Sequence, residues 1–197
     1  ELIEDGFYLF FQKEPVRILD LCCGSACIGI ACALAFPEAV VDVADISVDA
    51  LAVAAINIAQ HRVQQRVQTV ASDLFSGLQR QRYDLIVCNP PYVDADDMNN
   101  LPDEYRHEPE LALASGVDGL DFTRRLLREA RNFLTEEGVL IVEVGNSAAA
   151  LETVFPSVPF TWLAFERGGD GVFTLTAAEL QQYAESFHIM PSLTRSE

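Results

Sequence analysis

The sequence predicts an α/β fold: a mostly parallel sheet with helices on both faces and an antiparallel hairpin at one edge. Three observations lead there. Short β-branched runs alternate with helix-length apolar stretches, the pattern of a sheet built from strand–helix–strand units. Acidic residues and an asparagine recur at the ends of those runs, just beyond the carboxyl ends of strands, where open α/β sheets bind ligands. Near the end of the chain, two strand-like runs flank Arg167-Gly168-Gly169-Asp170-Gly171, a glycine-rich turn of the kind that joins antiparallel strands. With 197 residues, 50% of them hydrophobic, the chain suffices for one domain with a full core.

The elements follow in order. Residues Val16 to Leu21, Val40 to Ile46, Val67 to Ala71, Tyr83 to Cys88 and Val139 to Val144 read as strands. Cys27 to Phe36 is an apolar helix stopped by Pro37, and Ser47 caps a second helix running to about Gln60. A third helix, charged on one face, is expected over Asp118 to Leu134. Phe160 to Phe165 and Val172 to Leu175 form the hairpin, and Ala177 to Phe187 the last helix. The longest stretch without a periodic pattern, Val93 to Val117, has the length of a functional loop.

Charge narrows the partners. Thirty acidic residues against 13 basic ones give a formal net charge of −17, which disfavours the counterion release by which proteins hold nucleic acid. A basic protein partner fits better. No apolar run reaches the length of a membrane span and no signal peptide is visible, so the expected location is the cytoplasm. The chain opens on Glu1 rather than Met, and a preceding segment is expected. Cys22, Cys23, Cys27 and Cys32 fall in one short stretch with no histidine nearby and no Cys-x-x-Cys spacing. They are expected to be reduced, small, buried residues rather than a metal site.

Asn89-Pro90-Pro91-Tyr92 follows an apolar strand directly. Each proline fixes its own φ and keeps the residue before it extended, so the corner is stiff. Such a backbone aims the Asn89 side-chain oxygen and the Pro90 carbonyl at the two protons of a planar NH2, with Tyr92 over its flat face. Alone, an Asn-Pro pair equally marks a surface turn. Three further carboxylates give it context. Asp20 precedes the single-glycine turn Cys22-Cys23-Gly24-Ser25-Ala26, which suits a cationic ligand end better than a pyrophosphate. Asp45, at the tip of the second strand, is placed to accept ribose hydroxyls, and Asp73 an exocyclic amine, with Leu74 packing on the base. Asp49 reads as a helix-cap neighbour of Ser47, and Asp42 and Asp84 as surface or helix-facing residues.

These motifs resemble the class I methyltransferases that use S-adenosylmethionine, and within them the HemK-like protein-(glutamine) amide methyltransferases. The resemblance rests on Asn89 to Tyr92, His107-Glu108-Pro109, Ala112-Leu113, Gly116 to Leu120 and Glu143-Val144-Gly145. Cys22, Tyr105 to Pro109 and Gly168 to Phe173 are similar to the branch that methylates a glutamine of a large-subunit ribosomal protein, a release factor being the second candidate. The resemblance implies a Rossmann-like sheet and S-adenosylmethionine as cofactor, while the cysteine spacing, the charge and the hydropathy lead to the expectation of no metal and no direct contact with nucleic acid or membrane. It places Asp20 and Gly24 along the methionine portion, Asp45 at the ribose, and Asp73 and Leu74 at the adenine, with Cys22, Ile46 and Asn89 also counted among the cofactor residues. Asn89, Pro90, Pro91 and Tyr92 hold the acceptor glutamine, and Asn89, Pro90 and Tyr92 are the catalytic candidates. Residues 1–15 are then the end of a linker or of a helical N-terminal domain, 16–187 the methyltransferase domain, and 188–197 a loose tail. Ala26 stands where relatives usually carry a further glycine. His107 is read as a structural hydrogen-bonding residue. The rival readings are an enzyme methylating the adenine amine of DNA or RNA, and a non-catalytic module that binds the cofactor.

Overall fold

The computed structural model describes residues 3, 13–79, 81–90, 118–166 and 169–188. Strands β1 (Arg17–Leu21), β2 (Val40–Asp45), β3 (Val67–Ala71), β4 (Tyr83–Cys88), β5 (Leu134–Glu143), β6 (Thr161–Leu163) and β7 (Val172–Thr176) form one sheet, in the order β3-β2-β1-β4-β5-β7-β6. The first five pair in parallel. β7 runs antiparallel to β5, and β6 antiparallel to β7, closing the edge as the hairpin pattern requires. The helices are α1 (Cys27–Ala35), α2 (Val48–Gln60), α3 (Asp121–Glu129, running into a 3-10 turn over Ala130–Phe133), α4 (Ala148–Val154), α5 (Ala177–Gln182) and α6 (Ala184–His188).

The period of two along each strand divides the interior into two cores. Ile18, Leu85, Val87, Val139 and Ile141 face α1 and α2. Their neighbours Leu19, Leu21, Ile86, Cys88, Leu140 and Val142 pack on the opposite face with Leu126 and Leu127 of α3, Leu180 of α5 and Phe187 of α6. Capping fixes where helices start. The Ser47 hydroxyl accepts the Ala50 N–H at 3.2 Å, and Thr176 and Glu179 form a reciprocal capping box at α5. At the other end of α1, the Arg66 guanidinium donates to the carbonyls of Ala33, Phe36 and Ala39 at 2.8, 3.3 and 3.0 Å, satisfying acceptors at the helix end and in the turn that leads into β2.

Several expectations are corrected. β5 begins at Leu134, five residues before Val139, because Leu134 pairs with Tyr83 across a bulge before the ladder resumes at Leu85 and Val139. The predicted helix over Asp118 to Leu134 is therefore shorter at both ends. The last helix is broken at Tyr183 into α5 and α6, and α4 is an element the sequence reading did not contain. Cys27 is exposed, while Cys23, Cys32 and Cys88 are buried and all five thiols are free. Asp42 is not a surface residue: it is 2% exposed and accepts the Tyr83 hydroxyl at 2.7 Å and the Gln68 amide, with Arg17 ion-paired at 3.7 Å. Asp84 is half-buried and accepts the backbone N–H groups of Val16 and Arg17 at 3.0 and 3.1 Å. Both aspartates hold the sheet together.

Candidate active site

The strand order reverses between β1 and β4, which opens a crevice beyond their carboxyl ends. The turn after β1 and Asn89 after β4 border it. In the register, Leu21 lies opposite Cys88, so Cys22 to Gly24 and Asn89-Pro90 leave the sheet side by side. Asn89 is exposed and Pro90 buried; Pro91, Tyr92 and residues 93–117, with His107, lie outside the described residues.

Asp20 is 1% exposed. One oxygen accepts the Gly29 N–H from the first turn of α1 at 2.8 Å, and the other is buried with no hydrogen-bond partner among the described residues. Burial pushes its carboxyl up to about 7, opposed by the Gly29 N–H and reinforced by the charge of Asp45. α1 reaches this close because position 29 has no side chain. A Cβ there would lie 2.5 Å from Val43 Cγ1 and 3.0 Å from Asp20 Oδ2. Gly29 is a site residue that sequence reasoning missed; its place one turn into the helix after the glycine turn is the signal that marked it.

Asp45 ties two tips together. Its Oδ2 accepts the Gly24 N–H at 2.9 Å and its Oδ1 the Ser47 N–H at 2.8 Å. Its backbone carbonyl accepts the Ser72 N–H at 2.9 Å, and that of Ala44 the Cys23 N–H at 3.1 Å. The three loops after β1, β2 and β3 are thus locked to one another. Backbone strain concentrates here: Cys22, Ala26 and Leu74 have φ of 55°, 65° and 51°, sparsely populated values for residues with a Cβ. Gly24, at φ 51°, has no atom of the described residues within 4 Å of where a Cβ would sit, so the backbone there has room for the close approach of a ligand.

Asp73 is half exposed, and Arg125 of α3 chelates both its oxygens at 3.0 and 3.1 Å. Arg125 carried no motif and was not anticipated. Leu74 is 3% exposed and packed in the core with Leu126 and Leu127 of α3, so little of its side chain is open to a base. Ile46, 61% exposed, offers that apolar surface instead. The set of Asp20, Asp45 and Asp73 fits a ligand with a cationic end, and the orphaned Asp20 oxygen is an acceptor waiting for a cation or a donor.

A cleft of about 440 Å³ runs from Asn89 along α1. Ile28, Ala31, Val87 and Ile141 wall it, and Asn89 and Glu143 bring polar side chains to its lining. An apolar slot with an amide at its rim suits an alkyl arm that ends in a hydrogen-bonding group.

The comparisons with known proteins agree with this geometry. The model of the methyltransferase small domain matches residues 8–104. The chain is 55% identical over 189 residues to the ribosomal protein uL3 glutamine methyltransferase of Francisella tularensis, covering 95% of this chain and 60% of that protein. It is 50% identical over 183 residues to the enzyme of the same name from Neisseria gonorrhoeae, covering 91% and 60%. The chain thus spans about three fifths of the length of these curated relatives. A methyltransferase from Pyrococcus furiosus superposes with a TM-score of 0.63 at 17% identity, covering 87% of this chain and 79% of that one, a likeness of fold.

Proposed function

We propose, from the premise that this chain belongs to the HemK-like methyltransferase family, that it transfers a methyl group from S-adenosylmethionine to the side-chain amide nitrogen of a glutamine in ribosomal protein uL3. Residues 16–187 form the catalytic unit. The observation that carries the reading is the placement of Asn89 and Pro90 beside the glycine turn at the switch point, in a chain half identical to enzymes of that name. A ribosomal protein as substrate places the reaction in the cytoplasm and gives the net charge of −17 a basic partner.

Bound beyond the strand tips, S-adenosylmethionine supplies an electrophilic methyl on a sulfonium. The chain's own residues bind and orient. Asp20 faces the cationic amino-acid end, Asp45 the ribose, and Asp73, held by Arg125, the adenine amine, with Ile46 as an apolar contact. An amide nitrogen is a poor nucleophile, because its lone pair is delocalised into the carbonyl. Asn89 and the Pro90 carbonyl accept its two protons and hold it in line, and such positioning is worth on the order of 7 to 11 kcal/mol in the best cases. The same acceptors stabilise the positive character the nitrogen gains. The cleft walled by Ile28, Ala31 and Ile141 receives apolar chain beside the glutamine.

The test uses labelled S-adenosylmethionine, purified uL3 and the Asn89→Ala variant, with the modified residue mapped by mass spectrometry. Label on one glutamine of uL3, lost in Asn89→Ala while cofactor affinity stays within a few-fold, is expected. Label in nucleic acid, or full activity of Asn89→Ala, would overturn the reading.

A further inference from the structure

Two thiols lie at the boundary of the site, one at the end of each of the strands that border it. Cys88 ends β4, immediately before Asn89, and is buried on the α3 side of the sheet. Cys22 follows β1, packs against the same core and is partly exposed. The register sets Leu21 opposite Cys88, so Cys22, the next residue along the path of β1, leaves the sheet beside Cys88 and packs on the same core. Cys23 faces the opposite core with Cys32, and Cys27 is exposed beside the Ser25 hydroxyl at 3.1 Å. Of the five thiols, Cys22 and Cys88 therefore share a core face and a boundary with both halves of the site.

We propose that Cys22 and Cys88 are a modification site, a thiol pair that a hydroperoxide converts into a disulfide joining the cofactor turn to the acceptor corner. The chemistry balances in two steps. The Cys22 sulfur, the one solvent reaches, attacks the peroxide, its proton leaves with one oxygen as water, and a sulfenic acid forms. The Cys88 sulfur then displaces the sulfenic hydroxyl, which leaves as a second water with the Cys88 proton; two thiols are oxidised and one hydrogen peroxide is reduced. Burial raises the Cys88 thiol well above its ordinary range, so Cys88 acts as the resolving partner and not the first nucleophile. Cys22 already sits at φ 55°, and meeting the fixed geometry of a disulfide to Cys88 must constrain the turn that carries Gly24.

The consequence for cofactor binding rests on the proposed reading of that turn; the disulfide itself does not. Trypsin separates the two cysteines, since Ile18 to Arg62 carries Cys22 and Tyr83 to Arg106 carries only Cys88. After treatment of the whole protein with hydrogen peroxide, these two peptides are expected to be cross-linked through Cys22. S-adenosylmethionine affinity, read by calorimetry, should fall at least ten-fold and return with dithiothreitol. Cys88→Ala should abolish the cross-link and the peroxide sensitivity, and Cys27→Ser should leave both. Oxidation confined to Cys27, or undiminished sensitivity in Cys88→Ala, would overturn the proposal. If Cys88→Ala does not fold, the cross-link in the Cys27→Ser protein decides alone. A cross-link that forms with cofactor affinity unchanged would leave the pair standing and sink the reading of the turn as the cofactor's.

Discussion

Replacing Asp20 by asparagine isolates the electrostatic cost built into the floor of the site. The carboxyl is 1% exposed and keeps its proton up to about pH 7, against 3.8 for the ordinary group. The folded state therefore binds that proton more tightly than the unfolded chain does. Stability contributed by this group is present in full below pH 3.8, declines as pH rises from 3.8 to about 7, and is level above that. The gap corresponds to about 4 kcal/mol, a net figure in which the opposing effect of the Gly29 N–H at 2.8 Å is already contained. The amide of the Asp20→Asn protein keeps an acceptor for Gly29 and cannot ionise. Urea unfolding of the ligand-free protein at pH 5, 6, 7 and 8 should show wild type losing stability across the series. The Asp20→Asn protein should lose less, ending more stable than wild type at pH 8.

The same charge is an asset once a cation arrives. S-adenosylmethionine should bind more tightly to wild type as pH rises toward 7, with proton release on binding, and Asp20→Asn should bind weakly with no such dependence. Calorimetry in buffers of different ionisation enthalpy reads the proton directly. A wild-type stability flat between pH 5 and 7, or an Asp20→Asn protein less stable than wild type at pH 8, would refute the assignment of the cost to this carboxyl.

Asp45→Ala removes the acceptor of both the Gly24 and Ser47 N–H groups. It should cost about 1 to 3 kcal/mol of stability in urea and raise the cofactor dissociation constant strongly. Gly171→Ala should destabilise by on the order of 3 kcal/mol: at φ 74° its Cβ would lie 2.2 Å from the Gly145 carbonyl oxygen, and the Gly171 carbonyl accepts the Val144 N–H. Thermal unfolding at matched pH measures it. Ala26→Gly, at φ 65°, should relieve about 1 kcal/mol of left-handed strain, raising the melting temperature slightly.

What the sequence disclosed was local, and what it concealed was made by partners distant along the chain. β3 and β4 were legible to the residue, because Val67 to Ala71 and Tyr83 to Cys88 are bounded by polar breaks. The start of β5 was hidden, since Thr135-Glu136-Glu137-Gly138 has the composition of a turn and is strand only through the pairing of Leu134 with Tyr83. Asp42 read as a surface or helix-facing carboxylate for the same reason: its partners Tyr83, Gln68 and Arg17 lie 41, 26 and 25 residues away. α4 has only seven residues, too few for an apolar period to declare itself. In the site, the strand-tip positions of Asp20, Asp45, Asp73 and Asn89 followed from motif and spacing. The Arg125 clamp on Asp73 and the Gly29 contact with Asp20 needed the fold.

The acidic site and the Asn89 corner contribute at different stages of the proposed reaction. Asp20, Asp45 and Asp73 favour a positively charged donor, and this attraction is present before the methyl moves. During transfer the positive charge passes from sulfur toward the acceptor nitrogen without leaving the neighbourhood, so the three carboxylates stabilise the starting complex and the transition state to a similar degree. Interactions of that kind tighten binding and do little for the chemical step. Acceleration must come from groups whose interaction grows as the nitrogen turns positive, and Asn89 and the Pro90 carbonyl are the acceptors at that position. Once the sulfonium has lost its charge, the carboxylates hold the product less firmly than the donor, which favours its release. In the proposed reaction, charge would thus select and release the cofactor, while the corner at Asn89 and Pro90 would lower the barrier.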